Sequence, residues 1–580
     1  MGIPGLTTAL QRFGAPHILQ GDTLVIDGPA LAHHILHVCR VNGATQPSYR
    51  LVAHATLTWL DELVSRQVNI EAIYFDGCLP SSKRAVRMER ILKSSAQLNK
   101  LFSNNRHGCP RAQVAADDRT DLADVFQTGV PEVRASMDPS FFVPAVIDGL
   151  KHHPRYRNLT HLVPGEADAY CARLVSERGG LALTSDSDLL VYDLRQGQVV
   201  FFRDIHRGRD LEILCSKFAP SHICQRLGLP STTGLLRLAF EQSRAPSASL
   251  SKITVVCSQP VSDLPEYRHF CKQYQGEDDA TFPVLDTKYA SRLTSLDPRV
   301  SELAIQLWHS PSSCNGDNSI ARIFLPALTE SPDRGSAWEQ SIPLRQLAYY
   351  FLQAESLTPR ASIWEYRRVK SVTQKGRQID MISMFEAQQS IDDILEVMTS
   401  IKDMKRVPAG SYWQLVCLAV DMRECQRQAK QSHVGRVLQQ RHSPSMARAS
   451  RVSWDVVHFN AQLQAALYSL RMLRQAALVF LDSTTGSSVP SNTDNLLSAL
   501  LGFPSLTDFP DIDNTVDFLL SSEQNGLLPE LSDAVQLSKP PTSEVGIRAQ
   551  SAKQEKHPER FGHEPKPRIP GSKFSPLSLD

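Results

Sequence analysis

Acidic residues follow short apolar runs at four places in the first part of the chain, and this pattern constrains the fold more than any other feature. The apolar runs, which we predict to be strands, cover residues 23–27, 72–76, 161–163, 181–184 and 198–202. The stretches between them, such as 51–65 and 166–177, have the apolar spacing of helices. Strands separated by helices need crossover connections, so we expect an α/β domain with a mostly parallel sheet over residues 1–235.

Six carboxylates stand at or just after the C-terminal ends of these strands, namely Asp27, Asp76, Glu166, Asp168, Asp186 and Asp188. In an open parallel sheet these ends converge on one crevice. Crowded carboxylates repel one another, and a hard divalent cation such as Mg²⁺ or Mn²⁺ removes that repulsion. Two such ions can activate a water and stabilise the leaving oxygen of a phosphodiester. A single Asp after a strand is more often a turn or cap residue, so the prediction of a metal site depends on all six together.

A basic segment follows Asp76 and contains Lys83, Arg84, Arg87, Arg90 and Lys93. Lys83, Arg87 and Arg90 have the spacing of one helix face. A basic face beside a metal crevice would bind phosphates and steer a single strand. The alternative is an ordinary solvated surface helix.

The length of 580 residues exceeds what one core supports, so we expect further domains. Residues from about 78 to 140 read as an insertion that could arch over the site, with a plain surface loop as the alternative. We predict a mainly helical region at 236–480 and a disordered tail, first acidic and then basic, at 481–580. Residues 496–520 interleave apolar residues with Asp, which is typical of a segment that binds a protein partner. Packing of this segment against the helical region is the other interpretation.

The bulk composition excludes several classes of protein. The net charge is +1, so any binding of nucleic acid must come from local patches. The eleven cysteines include no Cys-x-x-Cys pair, which argues against a structural zinc site and a disulfide framework. No apolar run reaches membrane length, and the N-terminal segment lacks a signal-peptide pattern. We therefore expect an intracellular protein that is not secreted and has no membrane partner, with the nucleus favoured over the cytoplasm.

Several strings resemble the flap endonuclease and XPG nucleases, whose fold is PIN-like. They are MGIPGL at 1–6, VIDG at 25–28, FDG at 75–77 with Pro80, GEADAYCA at 165–172 and TSDSDLL at 184–190. The variant DGPAL at 27–31 is most similar to the Asteroid branch, particularly its fungal members. So are RIFLP at 322–326, SAWE at 336–339, RQLAY at 345–349 and IWEYRR at 363–368.

This resemblance implies roles for individual residues. One Mg²⁺ ion (or Mn²⁺) would be held by Asp27, Asp76, Glu166 and Asp168, and a second by Asp186 and Asp188 with help from Asp168. Lys83 and Arg90 match the basic residues that contact the scissile phosphate, and Gly2 matches a residue whose backbone lies near the site. The family's next motif supplies a further acid and opens an element that grips duplex DNA. No such acid follows Pro230, so we expect a weakened second metal site.

We therefore predict a metal-dependent, structure-specific nuclease. Its expected partner is nucleic acid, with DNA that has single-stranded or junction features favoured over RNA, and DNA repair is the expected setting. A PIN-type ribonuclease would share the same site. A protein of another class, a scaffold that kept the fold without efficient metal chemistry, is the main alternative.

Overall fold

The computed structural model describes residues 2–79, 83–119, 122–274, 292–293, 296–308, 320–354, 356, 359–405, 407, 410–440, 442–483 and 490–535. Pro80 of the FDG string and the basic part of the predicted tail, 537–580, lie outside the described residues. Within the described residues, no helix has both the length and the apolar character needed to cross a membrane.

The first sheet lies at the centre of the N-terminal part. The strands of that part are β1 (Ala15–Ile18), β2 (Thr23–Asp27), β3 (Asn69–Asp76), β4 (Cys109–Pro110), β5 (Thr160–Val163), β6 (Leu181–Thr184), β7 (Gln198–Phe201), β8 (His206–Arg207) and β9 (Ile213–Phe218). The sheet order is β1-β9-β7-β6-β2-β3-β5, with β8 paired to β9 and β4 outside this sheet. The five strands β7, β6, β2, β3 and β5 are parallel, whereas β9 is antiparallel to its neighbours. The prediction of a mostly parallel α/β sheet is confirmed.

Alternating side chains of this sheet contribute to two cores, one on each face. Leu24 and Ile26 of β2 pack in one apolar cluster with Trp59, while Val25 between them packs in the other. Such alternation follows from the two-residue period of a strand. The helices around this sheet are Leu6–Leu10, Gly28–Val41, Tyr49–Ser65, Phe142–His152, Ala167–Arg178, Pro220–Leu227, Gly234–Arg244, Leu250–Cys257 and Leu264–Lys272.

The helix Gly28–Val41 begins directly at the end of β2. Its first turn is capped by Asp27, whose side chain accepts a hydrogen bond from the Ala30 amide, and Pro29 occupies the first turn. A Cβ atom at Gly28 would lie 2.6 Å from the carbonyl oxygen of Tyr74. This close approach leaves no room for a side chain directly after β2.

The region predicted as mainly helical also contains a small second sheet. Its strands are β10 (Ala321–Phe324), β11 (Ser362–Tyr366) and β12 (Arg377–Asp380), in the order β10-β11-β12. A further strand, β13 (Arg451–Val452), pairs with β4. The helices of this region are Pro298–Trp308, Ile342–Gln353, Met384–Asp403, Tyr412–Arg427, His433–Gln439 and Trp454–Ser483.

The predicted start of a disordered tail at residue 481 is wrong for residues 490–535. They form the helices Thr493–Leu500, Ile512–Asn525 and Leu527–Val535. Leu500, Phe509 and Val516 are buried in the same core as the helix Trp454–Ser483. The acidic composition led to the wrong prediction of disorder. Asp508 and Asp517 lie on the exposed side of the segment, so they do not prevent its apolar side from packing. Most apolar residues of 496–520 are therefore packed in this core, with Leu501 as an exposed exception, and this favours the alternative interpretation that the segment packs against the helical region.

The insertion predicted near residues 78–140 contains a long helix, Arg84–Asn104, followed by β4. This helix packs against the second half of the chain rather than standing alone. Met88 belongs to a cluster with Phe324 and Tyr366, and Leu98 belongs to the large core around the helix Trp454–Ser483.

Candidate metal and phosphate site

Four adjacent parallel strands carry the six predicted acids at or just after their carboxyl ends. We call this group of Asp27, Asp76, Glu166, Asp168, Asp186 and Asp188 the acidic edge. Asp27 ends β2 and Asp76 ends β3. Glu166 and Asp168 lie at the start of the helix that follows β5, and Asp186 and Asp188 follow β6. Because β6, β2, β3 and β5 are consecutive in the sheet, their carboxyl ends lie side by side.

A chain of hydrogen bonds connects the end of β2 to the end of β6. The Thr184 hydroxyl donates to Asp27 Oδ2 at 2.6 Å and accepts from the Asp186 amide at 2.9 Å. The other oxygen of Asp27 accepts from the Ala30 amide at 3.1 Å. Asp186 in turn accepts from the Asp188 amide at 3.1 Å. The Thr184 hydroxyl and three backbone amides thus position both ends of this acidic cluster.

Asp76 is held from the neighbouring strand. Its Oδ1 accepts a hydrogen bond from the Ala167 amide at 2.8 Å. Ala167 is the first residue of the helix Ala167–Arg178, so Asp76 contacts the positive end of that helix. This bond ties the end of β3 to the segment that bears Glu166 and Asp168.

The carboxylates are close enough to perturb one another. Burial, followed by smaller contributions from other acids, raises the pKa of Asp27 to about 6 and the pKa of Asp76 to about 7. Burial and then Asp186 raise the pKa of Asp188 to about 7. The pKa of Asp168 is raised well above its ordinary value by burial and by Asp27, Asp186, Asp76 and Asp188. The carboxylates therefore repel one another when they are ionised, and a bound cation would reduce this repulsion.

The donor chemistry of this crevice fits a hard divalent cation. All six candidate ligands offer carboxylate oxygens, which Mg²⁺ and Mn²⁺ prefer. Asp188 Oδ1 is buried and accepts no hydrogen bond. In the part of the chain that the structure describes, no three His, Cys, Asp or Glu side chains are already arranged to hold an ion. Ion binding would therefore require the carboxylates to move together.

Lys83 reaches the acidic edge from the start of the basic segment. Its Nζ lies 3.1 Å from Glu166 Oε1, and its side chain is 38% exposed. Burial works against the charge of Lys83, but Glu166 and, less strongly, Asp188 and Asp168 raise its pKa. Arg90 is exposed, and its charge acts on Asp76. Both side chains are thus placed where a phosphate could meet them.

Arg87 does not share this exposed face, which corrects the prediction from its spacing. Its guanidinium forms a buried ion pair with Glu302, with Nη2 2.8 Å from Oε2. It also lies 3.9 Å from the ring centre of Phe324. Arg84 donates to the Tyr366 hydroxyl at 3.2 Å. Partners more than 200 positions away in the sequence decide which face of this helix is buried, so local spacing could not reveal it.

Gly2 packs directly against the paired aspartates. A Cβ atom at Gly2 would lie 2.1 Å from Asp186 Oδ1 and 2.4 Å from Ser187 Oγ, and its φ is +87°. The next amide, that of Ile3, donates to Ser187 Oγ at 2.9 Å. Only glycine fits this position, and the backbone there borders the site.

Two tyrosines beside Asp188 were not found by sequence reasoning. The Tyr274 side chain hydrogen-bonds Asp188, and its ring meets the Tyr192 ring edge-on at 5.4 Å. Tyr274 follows the helix Leu264–Lys272, far along the chain from the acidic strings. No local signal linked it to them. The first acid after Pro230, Glu241, pairs with Arg237 on its own helix at 2.7 Å.

Residues 138–381 match a family model described as "XPG domain containing". The matched segment covers less than half of the chain. It contains Glu166, Asp168, Asp186 and Asp188, starts after the segments that bear Asp27 and Asp76, and ends one residue beyond β12. This match supports a nuclease-type fold.

Comparison with individual proteins adds little detail. No curated protein matches the chain significantly. Among solved structures, the chain is similar to "The catalytic core of Rad2 (complex I)" at 14% identity, with a TM-score of 0.23. That similarity covers 48% of this chain and 85% of the other.

Proposed function

We propose that this protein is a metal-dependent, structure-specific nuclease of the Asteroid type that hydrolyses phosphodiesters. DNA with single-stranded or junction features is the proposed substrate, and DNA repair in the nucleus is the proposed setting. The observation that carries the proposal is the crowding of acids at one sheet edge, where Asp27, Asp76, Asp168 and Asp188 all have raised pKa values. Repulsion between these carboxylates lowers the stability of the fold unless a bound cation offsets it.

The proposed ligands divide between two ions. Asp27, Asp76, Glu166 and Asp168 would hold one Mg²⁺ or Mn²⁺ ion, and Asp186 and Asp188, with Asp168, would hold a weaker second one. When bound, such ions lower the pKa of water and stabilise charge on phosphate oxygens. Asp188 Oδ1, which accepts no hydrogen bond, is the atom best placed to gain from this.

The chain's own cations act on the phosphate. Lys83 would exchange its contact with Glu166 for a phosphate oxygen, and Arg90 would contact the same or the next phosphate. Their positive charge would stabilise the negative charge that develops during cleavage. Gly2 lies tight against Asp186, and its lack of a side chain would leave room for a substrate.

A scaffold that binds nucleic acid without cutting it is the second candidate. Three observations favour it. Within the described residues no three potential ligands are preassembled, and Tyr274 hydrogen-bonds Asp188, a ligand of the proposed second ion. No acid follows Pro230 before Glu241 to complete that ion's site.

A cleavage assay on the full chain separates the two candidates. Purified protein is incubated with Mg²⁺, Mn²⁺ or chelator and with flap, overhang and single-stranded substrates in DNA and RNA. If the protein is a nuclease, cleavage products should appear only when metal is present. The double variant Lys83→Ala with Arg90→Ala should then lower the single-turnover cleavage rate. Binding of nucleic acid without any cleavage product under every metal condition would support the scaffold candidate instead. Cleavage confined to RNA single strands would point to the ribonuclease alternative.

A further inference from the structure

A cavity of about 320 Å³ lies between the first part of the chain and the last helices. Its wall comes mainly from residues 46–50, 113–118 and 138–140, from the helix Trp454–Ser483, and from residues 507–514. We call it the junction cavity, and we propose that it binds a small organic cation, an ammonium or guanidinium group on a short apolar chain. In the part of the chain that the structure describes, its lining includes no residue of the acidic edge. The inference is therefore independent of the proposed nuclease function.

The size and the rigid walls of the junction cavity suit a small molecule. Ligand pockets in proteins usually have volumes of about 300 Å³ or more. The Asp117 amide donates to the Gln46 carbonyl at 2.7 Å, and the Ser48 amide donates to the Asp117 carbonyl at 2.9 Å. Another part of the wall is formed by Phe509 and Ile512, which are buried in the large core. The cavity is therefore a built part of the fold.

Two glutamines offer amide oxygens to the cavity that they line. Gln46 Nε2 donates to the Met137 carbonyl at 2.8 Å, and Gln464 Nε2 donates to the Pro510 carbonyl at 3.1 Å. A backbone carbonyl only accepts, so each bond fixes the amide nitrogen there and leaves Oε1 for another partner. Neither Oε1 accepts a hydrogen bond from a described residue, although Gln46 is only 8% exposed. These acceptors favour a ligand that brings N–H groups.

The charges around the cavity favour a cation over an anion. The charged residues that line it, among those described, are Asp118, Asp138, Asp511 and Arg50. Arg50 Nη1 lies 3.2 Å from Asp118 Oδ2, so the guanidinium already has a carboxylate partner. Asp138 pairs with Arg40 at 2.8 Å. The remaining carboxylate is that of Asp511.

Asp511 forms no salt bridge with a described residue. It caps the helix Ile512–Asn525, where its Oδ1 accepts a hydrogen bond from the Asn514 amide at 2.8 Å. Burial raises the pKa of Asp511, as do Asp513 and Asp118 less strongly, while the Asn514 amide lowers it. A cationic group beside Asp511 would stabilise its ionised form, whereas a phosphate would repel it.

Apolar side chains supply another part of the wall. Tyr49, Val457, Phe509 and Ile512 all line the cavity. Their carbon surface suits the methylene groups of a short chain, and aromatic rings also attract cations. Amide oxygens, one carboxylate without a cationic partner and apolar surface together match an alkylammonium or alkylguanidinium ion.

Two probes of the same shape separate the effect of charge from that of size. Butylguanidinium chloride carries the positive charge, and butylurea is its neutral counterpart. Ligand-observed NMR on the full chain at constant ionic strength should show that butylguanidinium binds with a Kd of about 1 mM or lower, as expected for a ligand of this size. Butylurea should bind at least about tenfold more weakly, because it lacks the charge-assisted contact. No saturable binding of butylguanidinium, or equal binding of the two probes, would overturn the proposal.

Two capping aspartates provide matched variants. Asp511 and Asp263 each accept the amide of the residue three positions on, and Asn keeps such a cap. Asp511→Asn should weaken butylguanidinium binding about tenfold or more, and Asp263→Asn should bind like wild type. Gln464→Leu removes one acceptor and should also weaken binding, so it serves as the test if Asp511→Asn does not fold. Wild-type affinity in either folded cavity variant would overturn the proposal.

Discussion

Thr184 Oγ1 donates a 2.6 Å hydrogen bond to Asp27 Oδ2 and so joins the ends of β6 and β2 at the acidic edge. The same hydroxyl accepts from the Asp186 amide. Thr184 is fully buried and Asp27 is 5% exposed. One neutral side chain therefore links the carboxylate at the end of β2 to the backbone of the acidic segment after β6.

Thr184→Val should destabilise the protein by about 1–3 kcal/mol, because it leaves a buried carboxylate and a backbone amide without their partner. Chemical denaturation of the two proteins in chelator measures this difference. Thr399→Val, which removes an exposed hydroxyl bonded only to the Leu395 carbonyl, should change stability by less than about 0.5 kcal/mol. Equal effects of the two variants would show that Thr184 does not organise the site.

Divalent cations should stabilise the folded chain. Binding to the native state alone at a hundredfold excess over Kd contributes about 2.7 kcal/mol. The melting temperature should therefore rise from chelator to millimolar Mg²⁺ or Mn²⁺. Asp27→Asn with Asp168→Asn should abolish most of this rise because it removes two proposed ligands of the first ion. A wild-type melting temperature that is the same in chelator and in millimolar Mg²⁺ or Mn²⁺ would support the scaffold candidate.

A buried ion pair in the second half predicts the behaviour of the protein in acid. Burial alone would raise the pKa of Glu365, but Arg345 and Arg367 hold that pKa down to about 2. Arg345 Nε lies 2.6 Å from Glu365 Oε1, and both side chains are fully buried. A carboxyl with a lowered folded-state pKa stabilises the fold above its ordinary pKa of 4.5, and that contribution is lost as pH falls towards 2.

Glu365→Gln should therefore cost about 3–5 kcal/mol at neutral pH, because it leaves buried guanidinium charge uncompensated. The difference from wild type should shrink as pH falls from 5 towards 3. Denaturation at several pH values measures it, with the exposed Glu177→Gln as the control. A difference that is constant with pH would contradict the assignment of a charged Glu365.

Neighbouring leucines test whether residues 490–535 belong to the core. Leu500 is fully buried, whereas Leu501 is 62% exposed. Leu500→Ala should cost about 2–5 kcal/mol, and Leu501→Ala should cost less than about 0.5 kcal/mol. Thermal melting of the full chain compares them. Similar small effects would restore the interpretation of this segment as a separate tail.

The ends of β2, β3, β5 and β6 were predictable because apolar runs and the acids that follow them lie within a few residues of one another. The antiparallel strand β1 was not, because it contains Pro16 and is mostly exposed. The burial of Arg87 depends on Glu302, and the bond from Tyr274 to Asp188 joins distant segments. Residues 490–535 were misread because acidic composition outweighed apolar spacing. Sequence periodicity predicts local elements, whereas long-range pairing decides which faces of them are buried.

The most direct test of the account is single-turnover cleavage of a flap-bearing DNA by wild type and by Asp186→Asn with Asp188→Asn. Asn preserves the acceptor for the Asp188 amide, so the fold should be kept and can be checked by melting. The account predicts that wild type cuts in Mg²⁺ or Mn²⁺ and that the double variant falls to the rate of chelator-treated wild type. A double variant that cuts at the wild-type rate would contradict the metal assignment.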